Sequence, residues 1–423
     1  MTESSGSTQV RAVYEASGSP KSRSASTYGA AATVAFCLLI VGSNVPGPLL
    51  PIYRDQLDLS AFTVTALFAA YLVGLVATFT VVARTRLPAY ATRMLPIAVA
   101  VCFLGDVALL VGNHSVAWLF AGRVLVGISV GLGTGAAATI VLATRGERGR
   151  AIAATGTLLG SFLGLLLAAV VADTLPGPTT TVYYFHLALL ASAIVALAAT
   201  HARARSAVAL LIRGRPDDEP VTADVVEPAG LPTTGARAPQ PHPPRVRLAG
   251  FALGTAGWAI GGVVVGLLPT VVTDMTGSGS IIMTSLGPIV LIGVACIAPR
   301  IVRSLRPPLS ASAIGAGAVL CFVGVWTTSL PTILAGCVVW GVGQGFAYAS
   351  GLRIVTASLK PVDQGRIASQ YASIAYGFTS VLAVSTGSIV SAAGMVAGLG
   401  FAAVVFVAMS IATITLGYGR WPD

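Results

Sequence analysis

Twelve apolar stretches, arranged as two sets of six, run along this chain, and each is long enough to cross a bilayer. The first set lies near 28–50, 61–82, 95–112, 116–142, 151–172 and 182–200. The second lies near 248–273, 280–299, 308–327, 330–352, 366–390 and 394–418. A hydrocarbon core about 30 Å thick takes about 20 apolar residues at ~1.5 Å per residue. Inside it every backbone N–H and C=O needs a partner within the protein, so the stretches are expected to be helices. Barrel strands would be about half as long and would alternate in polarity. Charged residues make up only 9% of the chain, against roughly 25% in soluble domains. That is too little to coat a water-facing surface.

The sequence therefore predicts an all-α membrane protein of twelve transmembrane helices in two six-helix bundles, 28–200 and 248–418. A polar tail (1–27), a polar linker (201–247) and a short tail (419–423) complete it. The linker holds Asp217-Asp218-Glu219 and the run Pro239-Gln240-Pro241-His242-Pro243-Pro244, a flexible, solvated composition. Residues 1–27 lack an apolar centre, and the first apolar run has no small-residue cleavage pattern, so it reads as a retained span. With the amino terminus in the cytoplasm, 23 of the 25 basic residues fall on the inside, Arg54 falls outside and Arg123 lies within a span. Basic loops resist translocation, so this bias sets the orientation, with both termini cytoplasmic in the cell membrane. The formal charge of +10 is thus spent on topology, and nucleic acid is not an expected partner.

The halves repeat. Leu49-Leu50-Pro51 recurs as Leu267-Leu268-Pro269, and Glu147-Arg148-Gly149-Arg150 recurs as Asp363-Gln364-Gly365-Arg366, at corresponding places. Parallel six-helix repeats suit a carrier whose halves rock about a midplane site. The five cysteines all lie in apolar runs without metal-ligand spacing. There is no G-x-x-x-x-G-K-[ST] loop, so no P-loop ATP motor. Gly127-Ile128-Ser129-Val130-Gly131 matches a hydrolase elbow by letters, but it lies within a span and lacks the strand-turn-helix that elbow needs. No enzyme activity, metal or cofactor is expected.

Arg123-Val124-Leu125-Val126-Gly127-Ile128-Ser129-Val130-Gly131 resembles the R-x-x-x-G-x-x-x-G signature of the major facilitator superfamily, whose arginine is associated with proton coupling. Pro48-Leu49-Leu50-Pro51-Ile52-Tyr53-Arg54-Asp55 is similar to the end of span one in bacterial twelve-helix exporters of that superfamily. Gly156, Gly160 and Gly164 resemble the glycine motif of its antiporter branch, with Leu165 at the motif's proline position. The loop from Ala83 to Arg93 keeps the basic residues of the family's G-x-x-x-D-R-x-G-R-R loop without its acid and glycines.

Ionisable side chains inside spans are costly and are functional candidates by default. Two lie deep: Asp106 in span three and Arg123 in span four, about 9 and 10 Å from the outer ends of their helices. They stand at similar depth, where a pair either neutralises two buried charges or gives Asp106 a proton to take and release. His186 is read as interfacial. The resemblance implies that spans one, four, seven and ten line a cavity, which nominates Asn44, Trp258, Gln344 and Tyr348 as substrate contacts. Tyr71, Tyr371 and Tyr376 on spans two and eleven follow. Each has a plainer role in helix packing. Gly127 and Gly131, like Gly156, Gly160 and Gly164, form stripes that let helices approach closely. The expected function is secondary transport by alternating access, as a monomer exporting small amphiphilic or drug-like molecules in exchange for protons. An importer or uniporter of a small metabolite, or a non-transporting sensor on the same scaffold, are the alternatives.

Overall fold

The computed structural model describes residues 20–85, 90–145, 147–213, 243–302, 304–356, 361–419 and 421. Among them eleven helical segments are long and apolar enough to cross a membrane. The remaining one, span eight, is made from a short helix, Ile281–Thr284, and a sixteen-residue helix, Leu286–Ile301. Span one is Pro20–Asn44 continued by Pro46–Leu57. Spans two to six are Ala61–Arg84, Ala91–Val111, Val116–Arg145, Glu147–Thr174 and Pro178–Arg213. Span seven is Pro244–Val264 continued by Leu268–Thr276. Spans nine to twelve are Pro307–Trp326, Leu330–Thr356, Pro361–Ala393 and Met395–Gly417.

Six pairings of the first half recur in the second. Span one packs on spans four, five and six, and span seven on spans ten, eleven and twelve. Span four packs on two and three as span ten packs on eight and nine, and the pairing of three with six returns as nine with twelve. The halves meet along two seams, span two against span eleven and span five against span eight. Both chain ends emerge on one side of the bundle, called the terminal side below. The opposite side is called the distal side.

Three spans are broken where proline removes a backbone donor. A proline cannot supply the N–H that the carbonyl four residues earlier would accept. Span one breaks at Val45, before Pro46, and span seven at Val265–Leu267, before Pro269. Span eight breaks at Ser285, before Pro288. The first two breaks occupy equivalent places in the repeat, so each half carries a short distal helix beyond its hinge.

Two boundaries differ from expectation. The first helix starts at Pro20, and the sixth runs on to Arg213, well into the stretch read as linker. Hydropathy marks the edge of the hydrocarbon, and a helix is free to continue past it. Asp217-Asp218-Glu219, the run Pro239 to His242, and the loop residues Arg86 to Ala89 lie outside the described residues.

The glycine stripes do what close packing requires. A Cβ on Gly127 would strike the Tyr71 carbonyl of span two, and one on Gly131 would meet Thr78. Gly160 faces the Cys37 carbonyl, and a Cβ on Gly164 would come within 2.5 Å of the Val41 carbonyl, both on span one. Gly156 is looser, with only the Phe36 ring near at 3.8 Å.

Candidate functional site

Between the halves lies a cavity of about 550 Å³ that reaches exposed Pro299 and Arg300 on the terminal side. Its walls are mostly apolar and aromatic: Phe36 and Ile40 from span one, Phe79 from span two, Leu158 from span five, Trp258 from span seven, Tyr348 from span ten and Tyr376 from span eleven. Past Gln344 and Trp258 it continues distally as a narrower space of about 80 Å³, lined by Ser43, Asn44, Phe68, Tyr71, Ser161 and Thr379. Span four contributes only Thr134 and Ala138. Pockets of this kind, apolar with a few convergent polar groups, are the usual form of small-molecule sites.

The aromatic wall is one continuous cluster. The Trp258 ring lies 4.8 Å from Tyr348 and 5.0 Å from Tyr376, edge-on to the latter, and Phe79 lies 5.9 Å from Tyr376. Such tilted and edge-to-face contacts match ring quadrupoles and fix ring positions. The polar groups are held locally. Asn44 Nδ2 donates to the Ile40 carbonyl (2.9 Å), Ser43 Oγ (3.0 Å) and Ser161 Oγ (3.1 Å). Thr379 Oγ1 donates back to the Ala375 carbonyl.

Six of the seven nominated cavity residues therefore line this space: Asn44, Tyr71, Trp258, Gln344, Tyr348 and Tyr376. Tyr371 does not. It is fully buried, its hydroxyl donates to the Tyr348 carbonyl (2.8 Å), and its ring fills the groove left by Gly254 and Gly351. It braces the wall from behind.

The two buried charges also part company. Arg123 Nε donates to the Leu67 carbonyl (3.1 Å) and Nη1 to the Ser43 carbonyl (2.9 Å). Its guanidinium lies 4.9 Å from the Tyr71 ring centre and 5.8 Å from that of Phe68. The planar fork thus ties span four to spans one and two, a task suited to arginine and not to lysine. Asp106 does not pair with it. Asp106 Oδ2 is instead in direct contact with Nδ1 of His186 on span six, and both residues are buried.

His186 is therefore not interfacial. Span six begins at Pro178, so His186 stands eight residues in, about 12 Å from the end of the helix. Its neighbours Tyr183 and Tyr184 gave it the look of a headgroup belt. A histidine two turns inside a span, at nearly the depth of an intramembrane aspartate, was the available signal. Gly42 makes room for the ring, since a Cβ there would come within 2.5 Å of His186 Cε1.

The geometry fixes how this pair holds a proton. His186 Nε2 faces the Leu38 carbonyl at 3.0 Å, which only accepts, so Nε2 carries hydrogen. Nδ1 and the Asp106 oxygen then need one proton between them, and with it the pair is neutral overall. Without it two lone pairs would face each other in a dry site. Leu38 and Gly42 both lie on span one, so the pair sits behind the wall of the cavity and reads the position of that helix. Tyr53, on the distal piece of span one, donates its hydroxyl to Tyr183 of span six at 3.1 Å, within the field of Asp106.

On the distal side three contacts bridge the halves, none foreseen from sequence. Arg54 makes a two-pronged ion pair with Asp274, Nη1 to Oδ2 at 2.7 Å and Nη2 to Oδ1 at 2.6 Å. Arg54 and Asp274 lie on the two short distal helices of spans one and seven. Asp173 at the end of span five accepts from Ser280 Oγ (2.6 Å) and from the Ile281 and Ile282 amides, capping span eight. The Phe62 amide donates to Ser391 Oγ at 2.9 Å. The cavity is thus latched shut distally while its mouth lies on the terminal side.

Solved structures share this arrangement. A peptide transporter in complex with sulfate superposes with a TM-score of 0.67 at 12% identity, covering 92% of this chain and 94% of that one. A D-xylose-proton symporter gives 0.61 at 14% identity over 94% and 98%. A human organic anion transporter gives 0.57 at 16% over 92% and 99%. At these identities the likeness is one of fold. No curated protein matches the chain in sequence. The model of the Major Facilitator Superfamily matches residues 32–384. With its twelve-span, two-half architecture and central cavity, the chain belongs to the Major Facilitator Superfamily and is a multi-pass membrane transporter.

Proposed function

We propose that this transporter is a monomeric secondary carrier of the cell membrane, both termini cytoplasmic, that exports small amphiphilic molecules in exchange for protons. The cavity carries this reading: apolar and aromatic walls, few polar groups, and no carboxylate among its described lining residues. The bundles 28–200 and 248–418 are the units that rock, with the terminal side facing the cytoplasm in the state described. In that state a membrane-dissolved amphiphile enters past Arg300, and the Arg54–Asp274 latch closes the way out.

The proton is assigned to Asp106 with His186 as its partner. Losing the shared proton sets carboxylate and imidazole lone pairs against each other, which favours separation of spans three and six and a shift of span one through Leu38. Arg123, held by carbonyls of spans one and two, transmits that shift to span four. Cys102, Tyr53 and Tyr183 are the other titratable groups within the field of Asp106. An importer reading is favoured by the likeness to a D-xylose-proton symporter. A sugar, however, needs many hydrogen-bond partners, and this cavity has few to give.

Expression in an efflux-deficient bacterium tests direction and class together. Cells carrying the protein should accumulate less of at least one amphiphilic compound from a broad panel, and a protonophore should abolish the difference. Unchanged accumulation across the panel, or increased uptake of polar metabolites, would contradict export.

A further inference from the structure

Among the described side chains that line the cavity, one buried polar atom has no hydrogen-bond partner. Asn44, Ser43, Ser161 and Thr379 each make hydrogen bonds to the protein. Gln344 makes none with the described residues, and its Oε1 is sealed from solvent. The residue is only 8% exposed and stands midway along span ten, where the wide and narrow parts of the cavity meet. Leaving a buried amide unpaired is destabilising, and a transmembrane helix has no need of one there. Leucine would fill the space without that cost.

The groups around it limit what completes it. Trp258 and Tyr376 line both the wide and the narrow space beside Gln344, so aromatic surface borders the amide for a planar ring to pack on. No acid or imidazole lies among the described lining residues, so a permanent cation would enter without a counter-charge. Arg300, the one charged lining residue, stands at the mouth and already donates to the Cys296 carbonyl. A carboxamide presents one acceptor and a pair of donors on a single edge, and rotation about the terminal torsion of Gln344 is what turns the enclosed Oε1 to a ligand in the cavity. Its complement is another such edge, read through two parallel hydrogen bonds.

Taking the cavity as the substrate site, we propose that Gln344 selects uncharged, planar aromatic substrates bearing an adjacent N–H and C=O, as in a lactam, imide or secondary cis-amide. The aromatic wall supplies affinity for the ring and the Gln344 amide supplies discrimination. A buried group built to bond a substrate N–H rejects the analogue that lacks it far more strongly than an apolar pocket rejects an added methyl.

Calorimetric titration of the purified protein in lipid nanodiscs, with empty nanodiscs as the blank, tests this with 2-quinolinone and its N-methyl analogue. The wild type should bind 2-quinolinone at least ~10-fold more tightly than the N-methyl compound. Gln344→Leu should bring the ratio to about one while both still bind through the wall. A wild-type ratio near one, a ratio unchanged in Gln344→Leu, or stronger binding of tetraphenylphosphonium or 2-naphthoate than of 2-quinolinone would each overturn the assignment. The wild-type ratio decides the matter even if the leucine variant fails to fold. Failure here with protonophore-sensitive efflux of other compounds would discard the substrate class and keep the exporter.

Discussion

Asp106→Asn should remove the response of transport to a pH gradient while leaving a folded protein that still binds substrate. In proteoliposomes, flux through the variant is expected to be the same with and without an imposed gradient, whereas wild-type flux rises with it. The asparagine amide donates Nδ2–H to His186 Nδ1 while Nε2 keeps its bond to the Leu38 carbonyl, so the contact between spans three and six survives, but it holds no exchangeable proton. Asp106→Leu should behave differently. It strands His186 in a dry site at a cost of about 1–3 kcal/mol, and its melting temperature should fall where that of Asp106→Asn holds. If Asp106→Asn kept a full response to the gradient, Asp106 would not carry the coupling proton.

The second large effect belongs to Gly127. Its would-be Cβ points at the Tyr71 carbonyl, with the Leu75 amide at 3.0 Å. Backbone of a packed helix cannot turn aside as a flexible side chain can. Gly127→Val must push spans two and four apart, and overpacking of this kind costs about 3 kcal/mol. It also displaces Leu67, Tyr71 and thereby the seat of Arg123. The expected outcome is a fall of several degrees in thermal-shift midpoint and loss of transport. Gly156→Ala serves as the contrast, since its Cβ would meet only the Phe36 ring edge in ordinary contact. It should leave both properties close to wild type. Equal behaviour of the two variants would mean that the signature glycine is not a packing contact.

Much of this molecule was legible before its structure because lipid is a demanding solvent. Hydropathy located all twelve spans, and Leu49-Leu50-Pro51 with Leu267-Leu268-Pro269 marked the repeat. Pro46 and Pro269 also mark the hinges, although the breaks themselves need the backbone to be seen. Cavity residues followed from the spans that the family resemblance places around a cavity, together with polarity, and all but Tyr371 line the space. Tyr371 misled because a tyrosine on span eleven looks the same from sequence whether it faces the cavity or the neighbouring helix. The pairings were harder. Asp106 has His186 eighty positions away, and which of two buried basic side chains it meets depends on how spans three, four and six rotate about their axes. The Arg54–Asp274 latch spans 220 positions. Its partners are ordinary loop-edge charges, and nothing local distinguishes them from solvated ones.

The distal latch offers the most direct measurement of whether the halves alternate. Gln56 and Gly279 are exposed on opposite halves at the distal side, and a Cβ at Gly279 meets nothing within 4 Å. Spin labels at cysteines placed there, in a background without the native cysteines, report the distance across the latch. The wild type should show a dominant short distance in lipid. Arg54→Gln removes the two-pronged pair and should add a second, longer population, as should a transported compound. A single distance unmoved by Arg54→Gln and by every transported compound would contradict alternating access about this cavity.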